Sequence, residues 1–116
     1  PTLKISSWLK GKDLGESLLE ELDRLHPFGQ GNSEPVFGIE GVVLDEEPVT
    51  FGDANYRFRL PARPGMQRGV AGIAWGLDQP PEAGQPVDLA VKFSWNYWRD
   101  SRYPQVTLVD WRPSET

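Results

Sequence analysis

Apolar positions change their period once along this chain. From Leu14 to Leu25 they recur at helical spacing. Leu14, Leu18, Leu22 and Leu25 share one stripe with Leu19 beside it, and Glu20, Glu21, Asp23 and Arg24 take the wet side. Asp13 and Glu16 precede the stripe with the spacing of a capping box. One amphipathic helix is predicted here. Past residue 35 the period falls to two. Residues 36–44 read as a strand with Gly38 and Gly41 inside it, which marks a bulge or bend. Residues 55–60 alternate cleanly, with Tyr56, Phe58 and Leu60 on one face and Arg57 and Arg59 on the other. Residues 70–75 form a small apolar strand. Val87, Leu89, Val91, Phe93 and Trp95 make the longest alternating run, and residues 106–111 a fifth strand. Residues 97–104 between the last two read as a turn carrying Arg and aromatic side chains.

The change of period falls at a stiff corner. Pro27 drives His26 out of the helical region and removes a backbone donor, which ends the helix. Gly29, Gly31 and Asn32 accept the left-handed conformations of a tight turn. Pro35 opens the first strand, and Phe28 and Phe37 pin the corner to the core. Ahead of the helix, Leu3, Ile5, Trp8 and Leu9 suit an extended lead-in packed on the domain.

These elements predict a mainly β fold, a five-stranded OB-type barrel preceded by one amphipathic N-terminal helix. The pattern also admits an SH3-like barrel or a two-sheet sandwich. Residues 1–34 are the lead-in strand, helix and hinge; residues 35–112 are the barrel; residues 113–116 are a polar tail. The helix often found between the third and fourth strands of such barrels has no room in the proline-rich residues 76–86, so the Leu14–Leu25 helix is expected to cover a barrel end.

Composition narrows the function. The 116 residues suffice for one domain, and five Trp, five Phe and three Tyr supply a core rich in rings. A chain that opens at Pro1 reads as a piece of a longer protein. With no Cys there is neither a disulfide framework nor a thiolate metal site, as suits the cytoplasm. No run approaches the roughly 20 apolar residues of a membrane helix. The net charge of −5 argues against strong independent nucleic-acid binding, but it is uneven. Residues 1–50 carry four cations against ten carboxylates; residues 51–116 carry eight, mostly Arg, against seven. Any polyanion site must be a local cationic face.

Catalytic readings fail one by one. His26 is the single histidine and sits at a helix end before a proline, a capping or packing position. Asp45, Glu46 and Glu47 before Pro48 read as a solvated turn, not a metal site. The glycines at 29 and 31 lead from helix to strand, the reverse of a phosphate cradle. No catalytic residue, metal site or cofactor is expected within these residues. Single-strand binding remains, because aromatic faces stack on bases and cations follow phosphates. Arg57, Arg59, Lys92, Tyr97, Trp98, Arg99, Arg102 and Tyr103 are the candidate nucleic-acid-binding residues, on the strand face and loop that OB folds use. Trp95, Tyr56 and Phe58 belong with the core.

The segment Leu25-His26-Pro27-Phe28-Gly29-Gln30-Gly31-Asn32-Ser33-Glu34-Pro35-Val36-Phe37 resembles the one that introduces the OB-fold domain of the RecJ family of single-strand-specific DNA exonucleases, within the DHH phosphoesterase group. The likeness extends from Pro1-Thr2-Leu3-Lys4-Ile5 to Asn96-Tyr97-Trp98-Arg99 and Gln105–Asp110, with Asp100 where that family usually has glycine. It implies that nuclease chemistry resides in separate DHH and DHHA1 domains of the same chain, where clustered Asp and His hold Mn²⁺ or Mg²⁺ and single-stranded DNA is cleaved from its 5′ end. This piece would be an accessory domain gripping single-stranded DNA. The alternative is a docking domain whose acidic first half packs on the catalytic core or a repair partner.

Overall fold

The alternating runs resolve into a single sheet in the computed structural model, which describes residues 4–10, 35–61 and 69–115. Seven strands occur among them: β1 (Ser7–Lys10), β2 (Phe37–Val43), β3 (Val49–Phe51), β4 (Asn55–Arg59), β5 (Ala71–Ala74), β6 (Pro86–Trp98) and β7 (Ser101–Pro113). Their order in the sheet is β1-β2-β6-β7-β5-β4-β3. The β1–β2 and β5–β7 pairs are parallel and the rest antiparallel.

The strand count departs from the five that periodicity predicts, for two reasons. Residues 7–10 of the lead-in add an edge strand beside β2, with Trp8 lying over Gly38. The acidic turn and Pro48 then separate β3 from β2, so a new strand begins after the proline. The barrel expectation is corrected as well. β1 and β3 stand at the two edges, so hydrogen bonds do not close the sheet. It is nevertheless curled. β2 and β3 follow one another in sequence yet stand five places apart, about 24 Å in a flat sheet. Six residue steps from Val43 to Val49 reach at most about 21 Å. Curling brings Ile39, Val42, Leu44, Leu60, Leu89, Val91, Val106 and Leu108 into one buried core, with Phe58 and the half-buried Phe93 and Trp95 around it. The Leu14–Leu25 helix and hinge residues Pro27, Phe28, Gly29, Gly31 and Asn32 lie outside the described residues. Pro35 is half-buried at the entry to β2.

A bulge sets the bend of β2. One extra residue sits between Ile39 and Val42 opposite Leu89–Val87, and Gly41 takes φ 67° there, a conformation that disfavours any side chain. The Gly41 N–H donates to Asp88 Oδ1 at 3.1 Å, and Arg112 Nε donates to Oδ2 at 3.1 Å. Asp88 is the buried charge that pins the bulge. Replacing it by Ala strands the Gly41 donor and unpairs Arg112. Asp88→Ala is expected to cost about 2 kcal/mol, read as a lower urea midpoint at unchanged m-value.

β6 and β7 form a ribbon of 13 residues each. Pairing with β2 ends at Val91 and pairing with β5 begins at Gln105, so among the described residues the distal ribbon pairs with no third strand. Here the structure corrects the predicted turn over residues 97–104. Only Arg99 and Asp100 turn the chain; Tyr97, Trp98, Arg102 and Tyr103 lie in the strands. Arg99 has φ 55°, the sign that glycine normally supplies at the first turn position of such a hairpin. Arg99→Gly is therefore expected to stabilise the domain by about 1 kcal/mol, visible as a rise of a few degrees in Tm.

Candidate nucleic-acid interface

Residues paired across neighbouring strands share a face, so register assigns each candidate side chain to one side of the sheet. Phe58, Gly72, Val106 and Phe93 form one in-register row on the core side. The rows on either side of it point outward. Val49, Arg57, Ile73, Thr107 and Lys92 make the first. Arg59, Ala71, Gln105 and Ser94 make the second. Along the distal ribbon the same face continues through Asn96 and Tyr103 and then Trp98 and Ser101. None of these rows contains a carboxylate. In a chain of net charge −5, these rows make a local cationic strip.

Six of the eight candidates gather there. Arg57, Arg59, Lys92, Trp98 and Tyr103 stand on the outer face, and Arg99 at the turn holds its guanidinium 5.7 Å from the Trp98 ring. Tyr97 and Arg102 do not join them. They pair with each other on the opposite side of the ribbon, where the Arg102 guanidinium lies 4.0 Å from the Trp95 ring centre. Period-two alternation carries this information, but only once residues 97–104 are read as strand.

The outer face also holds residues that sequence reasoning missed. Arg57 stacks on Phe51 at 4.6 Å, and Phe51 meets Trp75 edge to face at 5.6 Å. Trp75 is 61% exposed although this packing holds it. Its signal in the sequence is a tryptophan directly after a strand of small residues, a position with no core to fill. Arg59 donates from Nη1 to the Gly69 carbonyl at 2.7 Å and keeps further donors for a ligand. Arg57 and Arg59 also border a depression of about 570 Å³ whose other wall includes Asp45, Glu46 and Glu47.

The family model described as the RecJ OB domain matches residues 5–110. The chain belongs to the RecJ OB domain family. A relative, the single-stranded-DNA-specific exonuclease RecJ of Thermus thermophilus, is 34% identical over 102 residues, covering 84% of this chain and 13% of that protein. Crystal structures of RecJ from Thermus thermophilus in complex with Mn²⁺ and with Mg²⁺ each superpose with TM-score 0.63 at 30% identity. They cover 97% of this chain and 16% and 17% of theirs. The chain thus spans about one-seventh of its RecJ relatives. Among the described residues no three His, Cys, Asp or Glu side chains gather as metal ligands.

Proposed function

We propose that this is the non-catalytic, single-stranded-DNA-binding OB domain of a RecJ-like 5′–3′ exonuclease acting in DNA repair and recombination in the cytoplasm. In this reading the metal-dependent cleavage, with Mn²⁺ or Mg²⁺, belongs to DHH and DHHA1 domains of the same polypeptide. The OB domain holds the incoming strand on Arg57, Arg59, Lys92, Trp98, Arg99 and Tyr103, while Tyr97 and Arg102 stiffen the ribbon from its other side. The observation that carries the proposal is the pair of outward rows through Arg57 and Arg59, cationic, free of carboxylates and continuous with the aromatic ribbon, with Asp110 bounding them at the next outward row. Few cations imply modest affinity that falls steeply with salt. Fluorescence anisotropy with a labelled single strand in low salt tests it. Binding is expected to weaken as salt rises and to resist competition by the matching duplex. Equal competition by duplex would contradict it.

A second reading has one observation in its favour. Residues 1–50 carry a net charge of −6, which suits docking on a basic protein surface. Charge reversal at Glu20 and Glu21 separates the two. Weakened association with the catalytic domains at unchanged oligonucleotide affinity is the docking outcome.

A further inference from the structure

The two aromatic groups of the outer face stand at opposite ends of it. Trp75 follows β5, level with Val109 by the parallel register that pairs Ala74 with Leu108. Tyr103 lies six residues back along β7, about 20 Å away at strand rise. Both cationic rows, at the levels of Thr107 and Gln105, lie between them. Trp75 therefore does not extend the hairpin contacts; it forms a second terminus.

We propose that Trp75, braced by Phe51, on whose ring Arg57 stacks, is a nucleobase-stacking platform that anchors one end of a bound single strand, with Tyr103 and Trp98 anchoring the other. The inference rests on the single-strand reading above and adds to it a residue and a length requirement. An exposed indole gives one base a π-face, and Arg57 on the Phe51 ring meets the adjoining phosphate. The aromatic edge contact with Phe51 fixes the ring, so little side-chain freedom is lost on binding. At about 3.4 Å per stacked nucleotide, the span of about 20 Å takes about six nucleotides. Shorter strands reach one anchor only. Affinity then rises sharply between four and eight nucleotides instead of smoothly.

The experiment measures binding of four- and eight-nucleotide single strands to the full-length protein and to Trp75→Ala, Trp75→Phe and Arg57→Ala/Lys92→Ala variants, with Tm as the folding control. Expected are a tenfold loss for Trp75→Ala with eight nucleotides, a smaller loss for Trp75→Phe, and no loss with four nucleotides bound at the hairpin. An eight-nucleotide strand made abasic throughout keeps its phosphates and loses its bases. With it, Trp75→Ala is expected to have no effect, while Arg57→Ala/Lys92→Ala still weakens binding. If Trp75→Ala binds the eight-nucleotide strand like the parent while Arg57→Ala/Lys92→Ala is impaired, the platform is overturned and the single-strand reading stands. If neither variant changes binding, the outer face is not the site and both fall.

Discussion

The Arg57→Ala/Arg59→Ala/Lys92→Ala variant is expected to bind single-stranded DNA about 100-fold more weakly than the parent at 0.1 M salt. Each single-strand phosphate contact contributes roughly 0.7 to the slope of log affinity against log salt, or about fivefold at this salt. Three contacts multiply to about two decades and lower the slope by about 2. The side chains point outward from strands whose inner residues make the core, so the variant keeps its fold. The slope is the diagnostic quantity. A variant that lost affinity through misfolding would bind with fewer active molecules and an unchanged slope. Triple replacement outside the two cationic rows, Glu40→Ala, Asp53→Ala and Glu82→Ala, is expected to leave the slope unaltered.

Gly72→Val is expected to destabilise the domain by about 3 kcal/mol, the largest stability effect of any single change proposed. Gly72 faces the core opposite Phe58, whose ring fills the volume that a Cβ would occupy. A branched side chain forces that ring out of a packed interior, and overpacking of this kind costs about 1–3 kcal/mol before the displaced ring is counted. Phe58 shares its core with Leu60, Val70 and Val106, so its ring moves only by disturbing a close-packed interior. The same substitution tests the face assignment. Ile73, one residue on, points outward, so Ile73→Val is expected to change stability by less than about 1 kcal/mol. Urea unfolding of both variants separates the two positions.

How far the chain could be read in advance depended on what each pattern encodes. Alternation is local, and it placed the cores of β2, β4, β5, β6 and β7 correctly, along with the outward Arg57 and Arg59. The glycine at 41 marked its bulge because a positive φ leaves few other choices. Edge pairing is not local. Nothing in residues 7–10 states that they join Phe37–Glu40 in parallel register, which rests on contacts distant in sequence. Residues 97–104 read as a turn because polar and aromatic residues mix there, where among the described residues no third strand pairs with the ribbon. Exposure on both faces erases the contrast that reveals a strand. The same cause hid the separation of Tyr97 and Arg102 from the other candidates. Trp75 reads from sequence as the end of a strand, since only the structure sets Phe51 against it and Arg57 on Phe51.

The central claim is that one face of the curled sheet takes the strand. Amide chemical-shift mapping with isotope-labelled protein and an unlabelled eight-nucleotide single strand tests it most directly. The predicted result is a continuous band of perturbed amides through Arg57, Ile73, Thr107 and Lys92 and through Ala71, Gln105 and Ser94, extending to Tyr103, while Val42, Leu89 and Glu82 stay in place. Perturbations confined to the Asp45–Glu47 turn, or an unchanged outer face at saturating strand, would contradict it.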